Sequence, residues 1–327
     1  MPDTPKFMSV NKEKYHHFCL QEKNLPIFSH DWWLDTVCGE KNWDLALVEK
    51  NGKIIATFPY CFRKQFNYKF IHMPLLTHIM GPYIKYPEHV RNENKLSYDK
   101  KVTTELIRQL PEFGLFVQHF HHSITNWLPF YWHGFKQSTR YTYIIEDLSD
   151  LDSVYSKFRH SKRKNIQKAE KMLSVKYDLS AKDFYANHEM TLKKQKEKIL
   201  YNFHLFEKIY SMCYQKNCGK TIYASDQSGN IHSALFIIWN NYSAYNLIST
   251  IDPDYRNSGS TSLLIWEMIK YISDKTERFD FEGSMIEGVE RSFRQFGAKQ
   301  IPYFLIYKDK RNVLQKGLTY LSNRLKS

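Results

Sequence analysis

FDFEGSMIEGVERSFRQFGAKQIPYF, running from Phe279 to Phe304, spells a strand, a turn, a helix and a second strand in succession. Alternation over residues 279–282 puts Asp280 and Glu282 on one face and Phe279 and Phe281 on the other. Gly283 and Ser284 end that strand. A helix is predicted from near Ile286, with Val289, Phe293 and Phe296 on one face at i, i+4 and i+7, and Gly297 as its C-cap. Pro302 bars re-entry into helix, and residues 303–307 read as the next strand. Two carboxylates therefore stand where a strand gives way to a helix, with Arg291 and Arg294 further along. Open α/β sheets hold their ligands at such strand ends.

The chain around this stretch is globular in composition. It has 327 residues, 42% of them hydrophobic and 16% aromatic, with only 12 Gly and 11 Pro, which excludes disordered and fibrous classes. No apolar run is long enough to span a bilayer, and MPDTPKFMSVNKEKYHHF lacks the apolar centre of a secretory signal, so a cytoplasmic location is expected. Cys19, Cys38, Cys61, Cys213 and Cys218 are odd in number and irregularly spaced. Reduced thiols are expected rather than disulfides or structural zinc. Lys and Arg total 47 against 34 Asp and Glu, a formal net charge of +13. That excess favours anionic partners: RNA, phosphorylated co-substrates or a membrane surface in peripheral contact.

Read in order, an opening helix over 7–20 is followed by a helix from Ser29, its expected N-cap, to Val37. Residues 44–48 and 53–62 form a hairpin about Asn51–Gly52. Strand, helix (102–110), strand (114–120), short aromatic helix (125–132) and strand (139–145) complete the first half. The second half opens with a basic segment at 153–172. It continues through a strand at 173–177, helices at 181–196 and 203–214, strands at 221–225, 231–239 and 243–251, and a helix at 260–273. A basic helix over 312–325 closes the chain. Hairpin, strand, helix, strand, helix, strand thus occurs twice, with Gly52 and Gly229, and Gly134 and Gly297, in matching places.

Two further segments carry charge chemistry. The run STIDPDYRNSGST, residues 249–261, joins a strand to a helix through small polar residues, so its free N–H groups suit a phosphate. The plain alternative is an Asp-Pro turn capped by Ser258 or Ser260. The second segment clusters Lys157, Arg159, Lys162, Arg163, Lys164, Lys168 and Lys171 against Glu170. Phe158, Ile166, Ala169 and Leu173 give it an apolar stripe for docking on a core. The alternative here is a solvated face. For Asp280 and Glu282 the alternative to chemistry is an ion pair with Arg291 or Arg294. His119, His121 and His122 have no carboxylates beside them in sequence, so no metal site is expected.

These segments resemble one family. Phe293-Arg294-Gln295-Phe296-Gly297 resembles the F-K/R-x-x-F-G segment of FemABX-type peptidyltransferases, within the GNAT acyltransferase superfamily. Arg163-Lys164-Asn165-Ile166-Gln167-Lys168-Ala169 resembles the R-x-N-I-x-K-A/G segment that opens their second domain. Pro74-Leu75-Leu76-Thr77, with Gly81-Pro82, resembles the P-x-L-T-x-x-x-G-P segment of their first. Arg256-x-x-Gly259-x-Thr261 resembles the GNAT pyrophosphate loop Q/R-x-x-G-x-G/A, with Thr where that loop ends in Gly or Ala.

The resemblance implies an α/β fold of two tandem GNAT-like domains, mixed sheets flanked by helices, with an interdomain cleft. The expected domains are 1–150 and 151–310, with 311–327 a helix packing back on the first. It implies transfer of an acyl group to an amine by direct attack, with no metal and no tightly bound cofactor. Glu282 is the expected base or amine anchor and Asp280 its neighbour. Arg294 would stabilise charge and Tyr303 would donate a proton to the leaving group. Arg256, Asn257, Ser258, Gly259, Ser260 and Thr261 would hold the donor's phosphates. Arg163, Lys164, Asn165, Lys168, Phe293 and Thr77 would contact substrate. The expected co-substrate is acyl-CoA. The alternatives are an aminoacyl-tRNA donor with a cell-wall (peptidoglycan) precursor as acceptor, and a non-catalytic RNA- or membrane-surface-binding protein on the same scaffold.

Overall fold

The computed structural model describes residues 10–65, 68–89 and 91–312. Its first elements are α1 (Val10–Gln21), α2 (Asp31–Cys38), β1 (Trp43–Lys50), β2 (Lys53–Gln65), β3 (Tyr68–His72), β4 (Tyr83–Ile84), α3 (Asn92–Arg108), β5 (Phe113–His119), α4 (Leu128–Trp132) and β6 (Lys136–Ile145). There follow α5 (Leu151–Ser156), α6 (His160–Glu170), β7 (Ser174–Tyr177), α7 (Ala181–Lys194), α8 (Phe203–Gln215), β8 (Gly219–Ser225), β9 (Ile231–Trp239) and β10 (Ser243–Ile251). Then come α9 (Ser260–Ile272), β11 (Arg278–Asp280), α10 (Glu287–Arg294) and β12 (Lys299–Asp309). The closing helix expected over 312–325 and the first turn of the opening helix lie outside the described residues.

The chain divides into two compact units. One holds α1, Cys38–Thr139 and residues 303–309 of β12; the other holds Glu22–Val37 and Arg140–Pro302. In the first, β1, β2 and β3 are antiparallel neighbours, β5 lies parallel to β3, and β12 pairs antiparallel with β5. Parallel neighbours need a crossover, and α3 lies on that connection. Its core is aromatic: Phe58, Phe116, Phe120, Phe130 and Phe135 are all buried against one another.

The second unit repeats the logic. β7, β8, β9 and β10 are antiparallel in that order, and α9 carries the chain over to β11, which lies parallel to β10. That parallel ladder covers only Ser243, Ala244 and Tyr245 against Arg278, Phe279 and Asp280, so β10 runs on to Ile251 without β11 beside it. β11 in turn pairs antiparallel with Ile144 and Ile145. Helix starts are fixed by side-chain caps, Asp150 on α5, Ser180 on α7 and Asn202 on α8, each accepting a backbone N–H three residues on. The expected stripe of Phe158, Ile166, Ala169 and Leu173 is buried in this unit's core.

Several expected boundaries move. Ser29 sits in a 3-10 turn (Ile27–Ser29) and is not the cap of α2, which starts at Asp31. α3 begins at Asn92 rather than 102, and Asp99 inside it accepts the Tyr86 hydroxyl at 2.7 Å. Pro302 lies within β12, which starts at Lys299: proline excludes helix but tolerates extended backbone. α10 stops at Arg294, so Phe296 packs into the core from the turn beyond it, while Val289 stays exposed.

Candidate active site

The candidate site is built at the end of β11. Phe279 and Phe281 are buried in the core, and the alternation turns Asp280 to the other face, where it is also buried. Its carboxylate accepts the Thr142 hydroxyl, in a very short hydrogen bond, and the backbone N–H of Glu282 at 2.8 Å. Glu282 and Gly283 both take left-handed backbone, φ +60° and +66°. A non-glycine residue there is strained by roughly 1–3 kcal/mol, and such strain collects at functional sites. The consequence is a carboxylate folded back into the unit: Glu282 Oε1 is shielded from solvent and has no hydrogen-bond partner. The Tyr245 hydroxyl, on the residue paired with Asp280, is likewise buried without a partner.

Burial raises both acids. It pushes Asp280 up to about 6, against the lowering effect of its hydrogen bonds. Glu282 is held well above the ordinary range, first by burial and then by the nearby Asp280 charge. Glu282 is therefore a carboxyl whose affinity for a proton is raised by burial and by the Asp280 charge and which has an open acceptor atom, and that suits exchange of a proton with an amine.

Asp280 also sets a pH dependence. Its folded pKa is raised, so the stability it contributes is present below about pH 4 and lost as pH climbs through about 6, a change of roughly 3 kcal/mol. Asp280→Asn, which keeps an acceptor for Thr142, is expected to flatten that decline. Melting temperature measured from pH 4 to 8 in both proteins checks it; parallel curves would contradict it.

The arginines are placed differently from expectation. Arg294 pairs with Glu290 at 2.9 Å and Arg291 with Glu287 at 2.6 Å, both within α10. Glu290 also accepts the Tyr143 hydroxyl at 3.0 Å. Among the described residues neither Asp280 nor Glu282 is in an ion pair, so the simple structural explanation of these acids does not hold. Arg294 itself is exposed. Between Arg294 and Phe296 stands one residue where the F-K/R-x-x-F-G pattern has two, so Arg294 is out of register with that pattern's cation. Phe293 rests against Phe281 and Tyr143, packing rather than reaching out.

Tyr303 and Thr77 belong to the first unit. Tyr303 is buried there, its ring 5.3 Å from His78 and 5.8 Å from His119, and Thr77 is buried with its hydroxyl donating to Leu75 O at 3.3 Å. His119 approaches the His78 carbonyl and His121 the Ser123 hydroxyl, at 3.1 and 2.8 Å.

The strand-to-helix loop is held from two sides. Lys194 at the end of α7 grips Asp252 and Asp254 at 2.7 and 2.6 Å. α6 lies against its tip: Lys168 donates to Asn257 O at 2.9 Å, and a β-carbon on Gly259 would stand 2.3 Å from Asn165 O. Gly259, at φ +83°, opens α9 without a side-chain cap. Ser258 and Ser260 are buried and bond each other at 3.0 Å, whereas Arg256 and Asn257 are exposed. Thr261 Oγ1 is buried with no partner. On α6 and beside its two ends, Lys157, Arg159, Lys164, Lys168 and Lys171 are exposed, and Arg163 donates to Ser156 O at 2.7 Å. Lys162 departs from the row. It is buried, donating to the Ser292 hydroxyl at 2.8 Å with its ammonium 4.4 Å from the centre of the Phe296 ring. Burial pushes it down to about 8.

Comparison with known proteins places this fold. The family model described as an acetyltransferase (GNAT) domain matches residues 156–291. Among solved structures, FemX superposes with a TM-score of 0.64 at 12% identity, covering 91% of this chain and 96% of that one. L-PGS from Bacillus licheniformis gives 0.54 at 12% identity, covering 98% and 99%. A tandem GNAT protein from the clavulanic acid biosynthesis pathway gives 0.52 at 9% identity, covering 93% and 97%. No curated protein sequence matches the chain. The protein is an acyltransferase of GNAT fold. More particularly, it has the two-domain GNAT fold shared with FemX and the tandem GNAT protein.

Thr142 and Tyr245 were not among the residues the sequence singled out, and Lys162 was grouped there with the presented cations rather than set apart as buried. Thr142 meets Asp280 from 138 positions away and Tyr245 meets it through strand register, and neither relation leaves a local motif. Lys162 had a signal: it falls at i−4 from Ile166, on the apolar stripe of α6.

Proposed function

We propose that this acyltransferase moves an acyl group from an acyl-CoA-type thioester to a primary amine, with Glu282 as the base. The amine enters as an ammonium, gives a proton to the Glu282 carboxylate, and attacks the acyl carbonyl directly. The tetrahedral intermediate collapses with loss of the thiolate, which takes up a proton, and no bond to the enzyme forms. The observation that carries this reading is the buried, unpartnered Oε1 of Glu282 on strained backbone. At the donor side, the uncapped start of α9 and the buried, unpartnered Thr261 hydroxyl support a phosphate seat, with Arg256, Asn257 and Lys168 at its rim.

A second reading is favoured by one feature, the exposed cations of α6, which no carboxylate pairs among the described residues. It makes the donor an aminoacyl-tRNA and the acceptor a cell-wall or lipid-borne amine. Melting the protein with acetyl-CoA, with free CoA and with bulk aminoacyl-tRNA separates the two. A ligand at about 100 times its Kd adds roughly 2.7 kcal/mol. Stabilisation by acetyl-CoA that Thr261→Val weakens supports the first reading. Stabilisation by tRNA alone, lost when Lys164 and Lys168 become Glu, replaces it with the second.

A further inference from the structure

We propose that α4 and the adjoining side of α3 form a docking surface for a membrane of anionic phospholipid. On α4, Leu128, Tyr131 and Trp132 are 47%, 59% and 55% exposed, and Leu96 on α3 is 60% exposed. Four large apolar side chains in the open on two touching helices are more than scattered exposure, which needs no explanation. Their chemistry is that of a membrane–water boundary, where Trp and Tyr rest at headgroup depth and Leu reaches the acyl chains. Charge complementarity selects the lipid. Lys100 lies one helical turn beyond Leu96, and its ammonium stands 5.1 Å from the centre of the Trp132 ring. A lysine stem lying along exposed aromatic surface carries its charge to the headgroup layer.

The far side of α3 continues the surface. A groove of about 790 Å³ runs between α3 and the β1–β2 hairpin, with Leu47, Val48 and Ile55 in its lining and Lys50, Lys101 and Arg108 among its cations. Apolar side chains and four cations, Lys50, Lys100, Lys101 and Arg108, against the two acids Glu49 and Glu105 suit the chain and the phosphate of a phospholipid. Lys100 lines the groove and also touches the aromatic patch, so the two are one face of this unit.

The test is co-sedimentation of the full chain with vesicles of phosphatidylcholine, and of phosphatidylcholine mixed with phosphatidylglycerol. Binding is expected to the mixed vesicles alone and to weaken as salt is raised. Leu128→Ser with Trp132→Ser is expected to weaken it at least tenfold, and Lys100→Glu with Lys101→Glu to abolish it. Both variants should keep the wild-type melting temperature and its shift with donor, which keeps the result separate from the proposed reaction. A second charge variant on α6, Lys164→Glu with Lys168→Glu, should bind vesicles as the wild type does. Failure to sediment with the mixed vesicles overturns the proposal. So does binding that survives the α3 and α4 variants, a patch that instead governs dimerisation in solution, or one whose variants lose tRNA rather than lipid.

Discussion

Glu282→Gln is expected to lower the rate of acyl transfer by about 100-fold or more, the usual contribution of a positioned general base. The substitution keeps the size of the side chain and the left-handed backbone, and removes only the group that takes the proton. Because the fold holds this carboxyl above its ordinary range, making it permanently neutral relieves a burial cost. The melting temperature at pH 8 should therefore stay level or rise while activity falls. That opposition separates loss of chemistry from loss of structure. Release of free CoA thiol from acetyl-CoA, followed with a panel of amino acids and amino sugars as acceptors, reads the first; calorimetry reads the second. Full activity in the variant would remove Glu282 from the mechanism.

Gly283→Ala should produce the largest structural effect in the second unit. A β-carbon there would stand 2.1 Å from Tyr141 O and 2.8 Å from Thr142 Cα, at a backbone angle of +66°. Both neighbours are backbone and cannot rotate away. Strain of the left-handed conformation adds to the clash, for a combined loss of about 3 kcal/mol or more. Thr142 is the residue that donates to Asp280, so whatever relaxation occurs displaces the support of the two acids. Denaturant unfolding is expected to show the loss, with transfer activity falling alongside. Gly288→Ala makes the control: it lies on the same segment, in helix, with open space around its β-carbon, and should be neutral or stabilising. Equal behaviour of the two would mean the turn is looser than described.

The sequence was most informative where one residue type has one physical use. Alternation over 279–282 correctly separates the buried Phe pair from the acids, and the hairpin at Asn51–Gly52 and the strand at 243–251 appear where they are read. The repeated order of elements is present, with each unit's parallel pair formed across a helix. What failed was local detail decided by distant partners. Pro302 reads as a strand boundary, yet extended backbone accepts it inside β12. Phe296 continues the helical spacing of Val289 and Phe293, but the chain leaves the helix first and buries Phe296 from the turn. The arginines looked like partners for Asp280 and Glu282 because all four lie close in sequence. Helical spacing instead gives each one its own acid, at i−4. Lys162 reads as one of a row of cations presented to an anionic partner, whereas its position on the stripe of Ile166 turns it inward. The left-handed turn at Glu282, which isolates its carboxyl, has no signature in residue type.

The pH dependence of kcat/KM for acyl transfer, measured in wild type and in Asp280→Asn, tests the central claim most directly. Glu282 must be ionised to act, so activity should rise with pH through a limb lying above the ordinary glutamate range. In Asp280→Asn that limb should move to lower pH, because the charge that helps hold Glu282 protonated is gone. A limb in the ordinary carboxylate range, or one that Asp280→Asn leaves in place, would contradict the account.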